Sequence, residues 1–151
     1  MAQKEFGELK PLSAATIKKL NGHPEMQFKN ATWHSMNIQI RMMLSLDDFI
    51  STVHTAIENC TDSNGNFIFE LIDFALRINI IVAYAYVEMP EDINDLYMIA
   101  YASGLYELVC SVANTNQIDA IRDCVYRVSM IRGDQDEQCS QRTCAESAPL
   151  F

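Results

Sequence analysis

From Met26 to Leu44 the chain alternates: Met26 and Phe28 are separated by Gln27, and Ile38, Ile40, Met42 and Leu44 interleave with Gln39, Arg41 and Met43. A period of two is the signature of a half-buried strand. His34-Ser35-Met36-Asn37 offers a turn between the two runs, so the pattern predicts a β-hairpin over about residues 26–34 and 37–44. Such a hairpin is marginal alone in water and needs a helix against its apolar face.

That helix is predicted immediately afterwards. Ser45-Leu46-Asp47-Asp48 is a capping sequence, and Leu46, Phe49, Ile50, Val53 and Ile57 then recur at intervals of three and four until Thr61-Asp62-Ser63-Asn64-Gly65 ends the stripe. A second helix, about Asn66 to Tyr86, places Phe67, Leu71, Phe74, Ala75, Ile78, Ile81 and Val82 on one side with Ile72 and Ile80 behind them. A helix apolar around most of its girth belongs in the centre of a bundle. Pro90 breaks the chain, and a third helix is expected from about Asp92 to Ser103, with a bend at Gly104. Leu105, Leu108, Val109 and Val112 make a further short stripe. Ile118, Ile121, Val125, Val128 and Ile131 mark a last helix of about Gln117 to Arg132, for which Gly133 is a suitable stop.

These elements predict an α+β fold: an N-terminal β-hairpin packed on an antiparallel array of four or five helices. Residues 1–25 read as an N-terminal arm with a short helix over Ser13 to Leu20, residues 26–133 as a single α+β helical domain, and residues 134–151 as a polar C-terminal tail without apolar period. At 151 residues the chain is long enough for one buried core.

Charge separates the parts. Residues 1–32 carry a net +2, residues 33–132 a net -8 and the remainder a net -3, for a total of -9. An acidic body is repelled by a phosphate backbone, which argues against nucleic-acid binding even though Trp33 and six tyrosines supply stacking surfaces. Tyrosines at helical spacing more often serve a core edge or a protein interface. Trp33, Tyr97, Tyr101 and Tyr106 are therefore candidate interface residues, joined by Leu150 and Phe151 as the apolar end of the tail. The stretch Leu71 to Met89 is interrupted by Asp73, Arg77 and Asn79, so no membrane span is expected. The N-terminus has no apolar run of the kind a signal peptide needs, which predicts a protein that stays in the cytoplasm.

Candidate chemistry is sparse. His23, His34 and His54 stand in no metal-binding or nucleophile motif, and no glycine-rich phosphate loop is present. Asp47, Asp48, Glu91, Asp92 and Asp95 sit where helix starts favour negative charge. Cys60, Cys110 and Cys124 fall in helical patterns as small hydrophobes, and Cys139 and Cys144 lack the spacing of a zinc site. No catalytic residue, metal or cofactor is expected.

The order of features carries a resemblance. ATWHSMNIQIRMMLSLDDFISTVHTAIENC, then NFIFELIDFALRINIIVAYAYVEMPEDINDLYMIAYASGLYELV, then IDAIRDCVYRVSMI resembles a group of small proteins encoded by tailed bacteriophages of Gram-positive hosts. The matching pieces are Leu44-Ser45-Leu46-Asp47, Ala83-Tyr84, and Leu96-Tyr97 with Gly104-Leu105, within about residues 31–131. The resemblance implies a non-enzymatic virion or assembly component: a neck, tail or capsid accessory protein, or a tail assembly chaperone, found in the virion or the host cytoplasm. Its partners would be phage structural proteins, and a homo-oligomer is expected from an unpaired strand edge beside a tyrosine-rich surface. The competing class is an acidic phage inhibitor that blocks a host defence nuclease by imitating nucleic-acid charge.

Overall fold

The computed structural model describes the backbone of residues 9–21 and 27–146, and the side chains of residues 9–17, 19 and 27–132. In chain order the elements are α1 (Ala14–Asn21), β1 (Phe28–Trp33), β2 (Met36–Arg41), α2 (Leu46–Asn59), a 3-10 turn (Phe69–Leu71), α3 (Ile72–Tyr84), α4 (Ile93–Tyr101), α5 (Leu105–Val112) and α6 (Thr115–Glu146). The fold is α+β, with a two-stranded antiparallel sheet near the N-terminus and packed helices after it.

The hairpin is tighter than the alternation suggests. Trp33 pairs with Met36, leaving a two-residue turn at His34 and Ser35 whose φ angles are 46° and 63°. Positive φ at both central positions is the type I′ pattern, whose twist matches that of the flanking strands. The chain leaving α3 reinforces β2: Tyr86 N–H donates to the Gln39 carbonyl at 2.9 Å, and Ala85 bridges Ile40. Ile38 and Ile40 are buried, as a helix-backed strand requires.

Ser45 caps α2 by accepting from Asp48 N–H at 3.2 Å, and α2 buries Thr52, Val53, Ala56 and Ile57. α3 is the central helix and packs against α2, α4, α5 and α6. Its innermost residues are Leu76, Ile80, Ile81 and Tyr84, all fully enclosed. Phe74 and Ile78, which the apolar pattern places with this core, are only half-buried and line a cleft beside α4, and Val82 is exposed.

Gly104, at φ 76°, makes the bend between α4 and α5. The helix after Asn114 does not stop at Gly133 but continues to Glu146. One glycine costs a helix interior about 1 kcal/mol, and no proline or second glycine follows before Glu146 to end it. Residues 134–146 thus continue the helix of the domain where the sequence pattern shows only a polar tail. Ser13 Oγ accepts from Thr16 N–H at 3.1 Å at the start of α1, which forms where the sequence places a short helix.

Candidate functional site

α4 begins at Asp92, whose Oδ1 accepts from Asn94 N–H at 2.9 Å and Asp95 N–H at 3.2 Å. The helix that this cap starts leaves much of its apolar surface uncovered. Its one fully buried residue is Ala100, whereas Ile93, Tyr97, Met98 and Tyr101 are 63%, 56%, 57% and 39% exposed. Ile93, Tyr97 and Tyr101 stand four apart and so share a face. The Tyr97 and Tyr101 rings lie 5.0 Å apart between centroids, and Phe74 of α3 joins them at 6.0 Å and 6.3 Å. Beside this stripe opens an apolar cleft of about 270 Å³ lined by Asn59, Leu71, Phe74, Ile78, Ile93 and Leu96. Large exposed apolar patches are a common feature of docking surfaces.

A polar network holds the stripe in place. Asp73 Oδ2 accepts from Tyr101 Oη at 2.8 Å and from Arg77 Nε at 3.0 Å. Arg77 Nη1 donates to the Ala100 carbonyl at 3.1 Å and to Glu107 Oε1 at 3.3 Å, tying α3 to both α4 and α5. Its guanidinium lies over the rings of Tyr101 and Tyr106, at 4.7 Å and 4.6 Å, and Arg122 of α6 approaches the Tyr106 ring at 5.3 Å. Partial burial would raise the Asp73 carboxyl, but hydrogen bonds from Tyr101 and Arg77 and the charges of Arg77 and Arg122 outweigh it and hold the group below its ordinary value. Burial, followed by the bond to the Asp73 anion, pushes the Tyr101 phenol up to about 12. Near neutral pH the Asp73 carboxylate stays charged and the Tyr101 phenol stays neutral, so the hydrogen bond between them keeps one polarity.

The sequence-selected interface residues are divided by the structure. Tyr97 and Tyr101 meet on the exposed stripe; Tyr106 is buried beneath Arg77 and Arg122. Trp33 is a brace, its Nε1 donating to the Ser103 carbonyl at 2.8 Å, with His34 Nε2 3.1 Å from the same oxygen. Leu150 and Phe151 lie outside the described residues. Sequence reasoning missed Ile93, Met98 and Phe74, although the four-residue spacing of Ile93, Tyr97 and Tyr101 was a usable signal.

Two further acids serve local ends. Asp62 Oδ1 accepts from Asn64 and Asn66 N–H, both at 2.9 Å, and Asp48 pairs with Arg41 at 2.9 Å. Among the described residues no group of three or more His, Cys, Asp or Glu is placed to hold a metal ion, and no helix is long and apolar enough to cross a membrane. Cys60, Cys110 and Cys124 are free thiols. No family profile, curated protein or solved structure matches the chain.

Proposed function

We propose that this protein is a noncatalytic assembly component that covers a partner's surface with its α4 face. The exposed row of Ile93, Tyr97, Met98 and Tyr101 beside an apolar cleft carries the reading. Preorganisation supports it: Tyr101 is fixed by Asp73 and Arg77 before any partner arrives, so little side-chain freedom is lost on docking. The setting is that implied by the sequence resemblance, a virion or virion-assembly role in a tailed bacteriophage with phage structural proteins as partners. A nuclease inhibitor that works by charge mimicry needs acids aligned along one surface. Four of the thirteen acids of residues 33–132, Asp48, Asp62, Asp73 and Asp92, are engaged in ion pairs, turns and caps, and the exposed acids of residues 88–95 lie beside an apolar stripe, a mixed surface that suits a protein partner.

The test is affinity capture from phage-infected cells with the full chain and with a Tyr97→Ala, Met98→Ala variant. Both side chains are more than half exposed, so melting should be unchanged. Virion structural proteins captured by the parent and lost from the variant support the reading. Equal capture by both chains removes the α4 face from consideration, and a host nuclease as the specific partner transfers the protein to the inhibitor class.

A further inference from the structure

The N-terminal arm and the α4 face have opposite character. Leu9, Leu12 and Ile17 are 99%, 69% and 44% exposed, and every arm side chain described is exposed, Lys10 and Lys19 among them. Lys18 adds a third cation to the same short stretch. An eight-residue helix such as α1 is well below the length of about 12–15 residues at which an isolated helix becomes even marginal in water. Its helicity calls for a surface to pack on. The α4 stripe is the converse: uncovered apolar and aromatic side chains, with exposed Glu88, Glu91, Asp92 and Asp95 at its N-terminal end.

We infer that the α4 face receives the N-terminal arm of a second copy of this chain. Ile17 and its apolar neighbours fill the cleft between α3 and α4, while Lys10, Lys18 and Lys19 meet the acids of residues 88–95. The inference rests on the reading of the α4 face as a docking surface and names its occupant. Donor and acceptor are different surfaces, so each copy carries one of each. Reciprocal exchange closes a dimer, and head-to-tail exchange builds a ring or a filament.

Charge reversal in the full-length chain tests this by sedimentation equilibrium at micromolar concentrations. One variant carries Lys18→Glu and Lys19→Glu, the other Glu91→Lys and Asp95→Lys; Lys19, Glu91 and Asp95 are exposed, and Asp92 is kept to cap α4. The parent should self-associate, more weakly as salt rises, and each variant alone should associate about tenfold or more weakly. Mixed together, the two variants should associate again, because an unaltered basic arm then meets an unaltered acidic face. A parent that stays monomeric, or one whose oligomer ignores both reversals, overturns the inference. Self-association that survives arm reversal but is lost in the Tyr97→Ala, Met98→Ala chain also overturns it, while leaving the α4 face a docking surface for a different occupant. An arm that closes on its own body would show as a monomer whose compactness depends on both charge sets, and that result overturns the exchange as well.

Discussion

Gln117 closes on the backbone of Leu44 with both ends of its amide: Oε1 accepts from Leu44 N–H at 2.7 Å, and Nε2 donates to the Leu44 carbonyl at 3.1 Å. A side chain of α6 thereby does what a neighbouring strand would do for the chain leaving β2. Tyr84 Oη also donates to Gln117 Oε1, at 2.6 Å, so the central helix is fastened to the same point. Leu44 is 3% exposed, and no water replaces these bonds readily. Gln117→Leu should cost about 2–4 kcal/mol in urea unfolding, since two buried backbone groups lose their partners. Tyr84→Phe, which leaves Leu44 satisfied, should cost only about 0.5–1.5 kcal/mol.

The two sides of α3 should answer differently to truncation. Leu76→Ala and Ile80→Ala empty fully enclosed positions and should each cost about 2–5 kcal/mol. Phe74→Ala removes a half-buried ring from the cleft wall, so its stability loss should be smaller and its effect on partner or self-association larger. Denaturant midpoints beside sedimentation profiles of the same three variants separate the effects. Equal destabilisation by Phe74→Ala and Leu76→Ala would make the cleft part of the core.

Much of this was legible because it is local. Ser45, the stripe of α2, the break at Pro90 and the bend at Gly104 are each decided by residues within a turn or two of one another. What was not legible depends on partners far along the chain: Trp33 meets Ser103, Gln117 meets Leu44, and Arg77 reaches Glu107. Hydrophobic spacing says that Tyr97, Tyr101 and Tyr106 are at an edge, but only the packed fold shows that Tyr106, which meets both Arg77 and Arg122, is buried while the other two stay exposed. The half-burial of Phe74 and Ile78 has the same origin, since an all-apolar helix does not reveal which flank its neighbours leave open.

Asp73 should contribute to acid sensitivity. Its folded-state carboxyl lies below the ordinary 3.8, so the unfolded chain takes up a proton first as pH falls. The stabilisation it supplies is full above 3.8 and is lost as pH drops through the lower folded value. Asp73→Asn should lower the melting temperature at neutral pH and flatten its decline in that acid window. An acid limb identical to the parent's would assign the pH dependence to other groups.

Thiol reactivity should follow burial. Cys60 is fully enclosed and burial raises its thiol, while burial followed by the charge of Glu107 pushes Cys110 up to about 11. The thiolate is the reactive form, so both should resist alkylation in the folded chain at mildly alkaline pH and react on unfolding in urea. Peptide mass spectrometry after a short iodoacetamide pulse reads each site. Native labelling of Cys60 at the rate of a free thiol would mean that the end of α2 opens far more often than the rest of the core.

Helix α6 runs on past Gly133 to Glu146. The last fully buried side chain described on the helix is Ser129, and Arg132 makes a long contact of 3.5 Å with Thr61 Oγ1. Gly133 weakens the residue preference for helix at its position by about 1 kcal/mol relative to alanine. Gly133→Ala should therefore raise the helical signal in far-ultraviolet circular dichroism and leave the melting temperature of the core unchanged. Truncation after Arg132 should reduce the helical signal and also leave melting unchanged, because it removes none of the buried side chains described. A large fall in melting temperature on truncation would mean that residues 133–151 pack on the domain. Unchanged melting with altered self-association would instead make the segment a second point of contact between copies, beside the arm and the α4 face.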